Sequence, residues 1–246
     1  MRFYDIQRFK NKHKGKTFVL FGSGPTLLDW KNSYCEDAIN IGCNTVFMHK
    51  PDLDYYFIQD SGAVTKSPNC YLKSREEYDH YRPKIEKFYG LSLRESRVNI
   101  SQKTKNYFNI FSVLGSKNVK YLDHSMRYEW AREGGAKIYS VVRDEHYLHN
   151  ICSHPFYELN SVIFSCAQFA LLAGAKRIIF VGCDITNNIR IGEDTKHSFY
   201  EDLRLLERWE MFINSVDIMN KQCALRVSLE VFNPIGLRGL LPEFSP

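Results

Sequence analysis

The sequence has no apolar stretch that approaches the roughly 20 residues of a membrane span, and no signal-peptide core is found between positions 1 and 16. Its seven cysteines are odd in number and include no C-x-x-C pair, which argues against a zinc ribbon and a disulfide framework. Internal repeats and Pro- or Ser-rich linkers are also missing. These absences predict a soluble protein of the cytoplasm, with reduced thiols and a single domain over residues 1–246.

Several common ligand-binding motifs are absent as well. The glycine-rich turn at positions 22–26 is neither G-x-G-x-x-G nor G-x-x-x-x-G-K-[ST], which disfavours a standard dinucleotide site and a P-loop. No G-x-S-x-G elbow occurs, which weakens an α/β-hydrolase interpretation. The spacing of His146, His149 and His154 matches no zinc signature, so we expect no metal site there.

The composition is that of a globular protein with a mild excess of positive charge. Of its 246 residues, 44% are hydrophobic and 14% aromatic, and 33 Lys and Arg exceed 28 Asp and Glu by five. This balance suits an anionic ligand but falls short of a nucleic-acid-binding composition. The cations between positions 2 and 16 form either a solvated arm or a peripheral contact with the inner membrane, and the aromatic content leaves a homo-oligomer open.

Apolar runs and periodicities predict an α/β fold. Strands are expected at 17–21, 38–42, 55–60, 137–142, 177–184 and 224–232, with amphipathic helices near 160–174 and 199–223. The continuous apolar run before Asp184 is typical of a strand that is covered on both faces. We therefore predict a Rossmann-like, mostly parallel sheet with helices on both faces and a less regular insertion or lid at about 66–135.

Polar or glycine residues follow the predicted strands, where parallel sheets bind ligands. Glycines in the first turn allow backbone amides to approach a phosphate, and carboxylates at strand ends can bind a ribose, a metal or an amine. Tight turns and helix caps explain the same residues without a ligand, and both interpretations stay open. The expected set is Gly22, Ser23, Gly24, Pro25, Thr26, Asn44, Asp60 and Asp184.

His197 is a candidate general base. It stands just before the second predicted helix and a short distance after Asp184. A neutral imidazole titrates near the working pH and can take a proton from an acceptor hydroxyl. A histidine without any such role is the alternative, because the chain has eight histidines.

Five stretches in order resemble a bacterial superfamily: residues 9–26, 40–44, 51–60, 161–184 and 197–200. That superfamily (DUF115) unites lipooligosaccharide sialyltransferases, motility-accessory-factor glycosyltransferases and 6-hydroxymethylpterin diphosphokinase-like proteins. In the sialyltransferase branch, the resemblance implies a CMP-sugar donor with the glycine turn against its phosphate. It also implies that Asn44 and the helix start at Ser161 lie near the donor, and that His197 is the general base.

The resemblance implies an inverting transfer of an acidic, sialic acid-like sugar to a glycan hydroxyl in surface polysaccharide or lipooligosaccharide assembly. No metal is required in that branch, because the protein can stabilise the departing CMP itself. The diphosphokinase branch instead requires Mg²⁺, for which Asp60 and Asp184 are the candidate ligands. A third alternative is an inactive domain that binds a nucleotide or a glycan.

Overall fold

The computed structural model describes residues 4–44, 46, 49–50, 52–58, 85–92, 137–142, 151–152, 155–157, 159–185, 199–222 and 226–246. Within these residues, eight parallel strands form one sheet in the order β6-β5-β4-β3-β2-β1-β7-β8. The strands are β1 (Thr17–Phe21), β2 (Ile39–Cys43), β3 (Tyr55–Ile58), β4 (Glu86–Ser92), β5 (Lys137–Val142), β6 (Phe156–Tyr157), β7 (Arg177–Val181) and β8 (Ser228–Val231). The helices are α1 (Val162–Leu172) and α2 (Phe199–Gln222), and short 3-10 helices occupy Ile6–Phe9, Pro25–Asp29 and Asn32–Tyr34.

Side chains alternate between the two faces of the sheet, so β1 contributes to two separate cores. Phe18 and Leu20 point to the face that α1 and α2 cover, whereas Val19 and Phe21 point to the opposite face. That second face is covered by the 3-10 helices after β1 and by the C-terminal segment. Burial on both faces explains the continuous apolar sequence of the central strands.

Both helices pack on the first face. All eleven residues of α1 are buried, and the helix lies against β1, β2 and β3. Trp209 of α2 contacts Phe180 of β7 and Phe164 of α1, with ring centroids 4.7 and 5.0 Å apart. The predicted α/β class, the mostly parallel sheet and its two covered faces are therefore confirmed.

Two strands were not expected from the sequence. β4 lies within the stretch 66–135 that we expected to be an insertion, and it pairs with both β3 and β5. β6 has only two residues. The rest of 66–135 falls largely outside the described residues, so the domain division stays a prediction. Within the described part of the chain, neither helix has the length and apolar character needed to cross a membrane.

The strand order reverses beside β1. Strands β1 to β6 extend the sheet in one direction, and the chain then returns to place β7 on the other side of β1. In open parallel sheets, the loops at the carboxyl ends of the strands separate at such a reversal and leave a crevice. The candidate site lies at this position.

Candidate functional site

A cleft opens at the carboxyl ends of β1, β2 and β7, with about 400 Å³ of empty space that is continuous with solvent. It collects residues that the sequence keeps far apart. Six predicted site residues line it: Gly22, Ser23, Gly24, Asn44, Ser161 and Asp184. The expected convergence of these strand ends and of the helix start is thus present in the structure.

The glycine turn after β1 packs directly on the loop after β7. The Gly22 amide donates to the Val181 carbonyl at 2.8 Å, and the Gly24 amide donates to the Gly182 carbonyl at 2.7 Å. A Cβ at Gly22 would lie 2.5 Å from the Gly182 oxygen, and Gly182 itself has a φ of +64°. These glycines are therefore required for the two loops to touch, and two of their amides are used between the loops.

Asp184 fastens the same two loops together. Its carboxylate accepts a hydrogen bond from the Thr26 amide at 2.9 Å, and Thr26 Oγ1 donates to the two carboxylate oxygens at 2.8 and 2.9 Å. Burial raises the pKa of Asp184, while the hydrogen bonds from Thr26 oppose that rise and nearby Asp29 adds to it. Asp184 is thus a partly buried carboxylate that holds the glycine turn against β7.

Asn44 lines the cleft and contains a buried polar atom that has no hydrogen-bond partner among the described residues. It follows β2 with a φ of +54°, a left-handed conformation that asparagine tolerates better than most residues. The Tyr56 hydroxyl donates to its backbone carbonyl and so fixes the loop. Asn44 Oδ1 is buried and has no hydrogen-bond partner in the described structure. A buried acceptor of this kind is costly unless a ligand donates to it.

The N-terminus of α1 also faces the cleft, where Ser161 and Ile163 line it. Ser161 is the N-cap, with a φ of −152°, but its side chain makes no capping hydrogen bond, and the first turn contains no acidic residue. The Phe164 amide donates to the Ser161 carbonyl at 3.3 Å. The amides of Val162 and Ile163 come before the first intrahelical hydrogen bond and lie at the positive end of the helix dipole. This end of α1 is therefore a suitable site for an anion.

Other lining residues were not anticipated as site residues. The apolar wall consists of Ile163 together with Leu205 and Trp209 of α2, and the remaining members are Cys43, Gly182 and Cys183. Gly182 and Cys183 stand directly before Asp184 in the sequence, so the strand-end rule that selected Asp184 could also have selected them. No local signal marks Trp209, because its periodic position fits an ordinary core residue equally well.

The remaining predicted residues do not take part in the cleft as described. Pro25 and Thr26 belong to the 3-10 helix behind the turn, and the Thr26 hydroxyl is bonded to Asp184. Asp60 and His197 lie outside the described residues, so their positions stay predictions. Within the described ranges no three His, Cys, Asp or Glu side chains form a cluster that could hold a metal ion. Asp60 and His197 fall outside those ranges, so the Mg²⁺ expectation stays a prediction too.

Neither a family model nor a curated protein matches the sequence. The chain is similar to a structure of the sialyltransferase CstII from Campylobacter jejuni in complex with a substrate analogue, cytidine-5'-monophosphate. The identity is 15%, the match covers 89% of this chain and 80% of that chain, and the TM-score is 0.43. A second similar structure is the sialyltransferase CST-II with a trisaccharide acceptor and CMP, at 16% identity, 94% and 86% coverage and a TM-score of 0.43.

Proposed function

We propose that the protein transfers a sugar from a CMP-activated donor to a hydroxyl group of a glycan acceptor. The observation that carries this proposal is the cleft at the β1–β7 reversal. The glycine turn, Asn44 and the start of α1 meet there, and these are the residues that the sequence resemblance associates with the donor.

The chemistry of the cleft favours an anionic nucleotide. The start of α1 offers first-turn amides and the Ser161 hydroxyl to a phosphate, an interaction worth about 0.3–1 kcal/mol from the helix dipole alone. Asn44 Oδ1 requires a hydrogen-bond donor, so it suits a hydroxyl or amino group of the donor substrate and not its phosphate. The apolar wall from α2 suits the carbon face of a base or sugar.

In the proposed reaction, His197 takes the proton of the acceptor hydroxyl. The acceptor oxygen attacks the anomeric carbon from the face opposite the phosphate, and the bond between that carbon and the phosphate oxygen breaks. The product is a glycoside with an inverted anomeric centre, and CMP leaves as a monophosphate. The α1 N-terminus stabilises the charge that accumulates on the phosphate as it leaves.

Incubation with CMP-sugars or ATP, each with and without EDTA, tests this proposal. We expect CMP release that is insensitive to EDTA and depends on a glycan acceptor. Mg²⁺-dependent AMP formation would instead identify a diphosphokinase, in which Asp184 would have to bind the metal while it also holds Thr26. Absence of turnover with both substrates would favour a binding domain.

Two variants separate binding from transfer. His197→Ala should abolish transfer but leave CMP binding intact, whereas His49→Ala, at an exposed histidine that does not line the cleft, should leave both unchanged. Transfer at the wild-type rate by His197→Ala would contradict the proposed base.

Ser161→Asp tests the phosphate position. Aspartate is a good N-cap, so we expect unchanged or greater stability, yet its charge should weaken CMP binding by about tenfold, or about 1.4 kcal/mol. Ser161→Asn, a neutral cap of similar size, should bind CMP with nearly wild-type affinity in the same calorimetric titration. Equal affinities for the two variants would place the phosphate elsewhere.

A further inference from the structure

Six exposed cations occupy the segment that leads into β1 and the residue directly before β7, on the opposite edge of the sheet from the cleft. None of them forms an ion pair in the part of the chain that the structure describes. We call them the amino-edge cluster: Arg8, Lys10, Lys12, Lys14, Lys16 and Lys176.

The backbone under this cluster is held in place by the C-terminal end of α1. The Asn11, His13 and Gly15 amides donate to the carbonyl groups of residues 172, 173 and 174 at 2.9, 2.9 and 2.8 Å. The Lys176 amide donates to the Lys16 carbonyl at 3.0 Å, which joins the two parts of the cluster. The cations therefore occupy a fixed surface and not a loose arm.

Nearby acids offset only part of this charge. Glu86 pairs with Lys137 at 3.2 Å, a cation outside the cluster. Asp54 and Asp5 accept hydrogen bonds from the Asn40 and Gln7 amides at 2.8 and 3.1 Å and keep their negative charge, so these two acids offset two of the six positive charges. The negative end of the α1 dipole stabilises some of the remaining positive charge, but that effect is confined to the last turn of a helix. The charge that remains exceeds what one helix end requires.

The geometry points to a surface that binds an anionic lipid bilayer. Five of the six cations are lysines, which act as strongly hydrated point charges and suit the diffuse charge of a membrane surface. A protein that binds single-stranded nucleic acid also needs exposed aromatic rings on which the bases stack. The rings beside Lys12 belong to Phe9 and Tyr55, which are only 3% and 4% exposed. A bilayer therefore fits this surface better than a single-stranded nucleic acid does.

This placement has a consequence for the cleft. β1 and β7 have five residues each, so the amino and carboxyl edges are about 17 Å apart along the strands. A protein bound through the amino-edge cluster keeps its cleft directed away from the lipid and open to solutes. Lipid binding should therefore not compete with binding of a nucleotide, whatever reaction the cleft performs.

Co-sedimentation with vesicles tests the proposal, with phosphatidylcholine alone compared with phosphatidylcholine mixed with phosphatidylglycerol. We expect binding to the anionic vesicles only, and weaker binding as the salt concentration rises above about 0.15 M. Absence of binding to anionic vesicles at low salt would overturn the proposal. So would tighter binding to a DNA oligonucleotide than to the vesicles.

A charge-matched pair of double variants shows whether the cluster itself is responsible. Replacing Lys14 and Lys16 by glutamine should lower partition onto anionic vesicles by about 25-fold, at about fivefold per lysine. Lys31→Gln with Arg238→Gln removes the same charge from exposed positions outside the cluster and should lower it by less than about threefold. Equal losses would overturn the proposal, because net charge alone would then explain binding. Melting temperature and CMP affinity should be unchanged in both pairs, which confirms that the variants fold.

Discussion

The hydrogen bonds between Thr26 and Asp184 join residues 158 positions apart in the chain, and their strength can be measured. Thr26→Val removes the hydroxyl but keeps the shape of a buried side chain that is 4% exposed. A hydrogen bond from a hydroxyl to a carboxylate contributes about 1.5–3 kcal/mol. For a chain of this size, a loss of about 2 kcal/mol should lower the melting temperature by about 4–8 °C.

The cost of Thr26→Val should depend on pH, because Asp184 changes its charge. Burial raises the pKa of Asp184, and the Thr26 hydrogen bonds restrain that rise. A carboxyl group with a raised pKa in the folded state contributes stability that is fully present below its unfolded pKa. That contribution is lost as the pH rises through the folded pKa. Removing the hydroxyl raises the folded pKa further, so the deficit of the variant should be largest at neutral pH and smaller in acid.

Urea unfolding at several pH values measures this deficit, and Thr26→Ser is the matched control. Serine keeps the hydroxyl and loses one methyl group, which costs about 1 kcal/mol with little dependence on pH. CMP affinity should fall in the valine variant, because the glycine turn is no longer fastened to β7. The role assigned to these hydrogen bonds would be refuted if Thr26→Val and Thr26→Ser lowered the free energy of unfolding equally. It would also be refuted if the loss in Thr26→Val stayed constant from neutral to acid pH.

Three further predictions concern other parts of the fold. Gly182→Ala should cost on the order of 3 kcal/mol and abolish CMP binding, because its φ is +64° and a Cβ would lie 2.9 Å from that of Leu27. The control Gly239→Ala, at φ +86° with open space around it, should cost only about 1 kcal/mol. Gln168→Leu should cost about 2–4 kcal/mol in urea unfolding, because the buried amide now bonds both backbone groups of Tyr157 at 2.8 and 2.9 Å. Burial, and then Lys12, lower the pKa of His13, so the native protein should lose stability as the pH falls from about 7 to 5. His13→Gln should flatten that decline, and an unchanged slope would show that another group causes it.

The sequence predicted the central strands best because their residues are apolar on both faces. The bounds of β1 and β5 agree with the predicted ones to the residue. β7 is shorter than predicted, because Gly182 turns the backbone to positive φ directly after Val181. α2 ends one residue before its predicted end, and α1 begins two residues later and ends two residues earlier than predicted, since Gly174 adopts a φ of +90° just after the C-cap.

β4 and β6 could not be predicted because contacts with residues distant in the sequence stabilise them as strands. β4 begins with Glu86 and Lys87 and has no clean alternation, and its Glu86 is paired with Lys137 of β5. β6 is too short for any periodicity. The side-chain amide of Gln168 forms hydrogen bonds with the backbone amide and carbonyl of Tyr157 in this strand. The Thr26–Asp184 contact is equally invisible in the sequence, because it exists only once β1 and β7 are neighbours.

The structure limits which amides of the glycine turn are available to a phosphate. The sequence suggests that the turn offers its amides to the nucleotide, and this stays a prediction; the Gly22 and Gly24 amides donate to Val181 and Gly182, which leaves the amide of Ser23 as the one in the Gly22–Gly24 stretch without a backbone partner in the described structure. The glycines let two loops touch and so shape the cleft, while Ser161 and the first turn of α1 provide the uncapped positive end that faces it. In the proposed donor complex, the phosphate is recognised mainly by the start of α1, and Asn44, on a different loop, accepts a hydrogen bond from another part of the donor. Cytidine without a phosphate should therefore keep the Asn44 contact and lose the α1 contact, so Ser161→Asp should weaken CMP binding far more than cytidine binding.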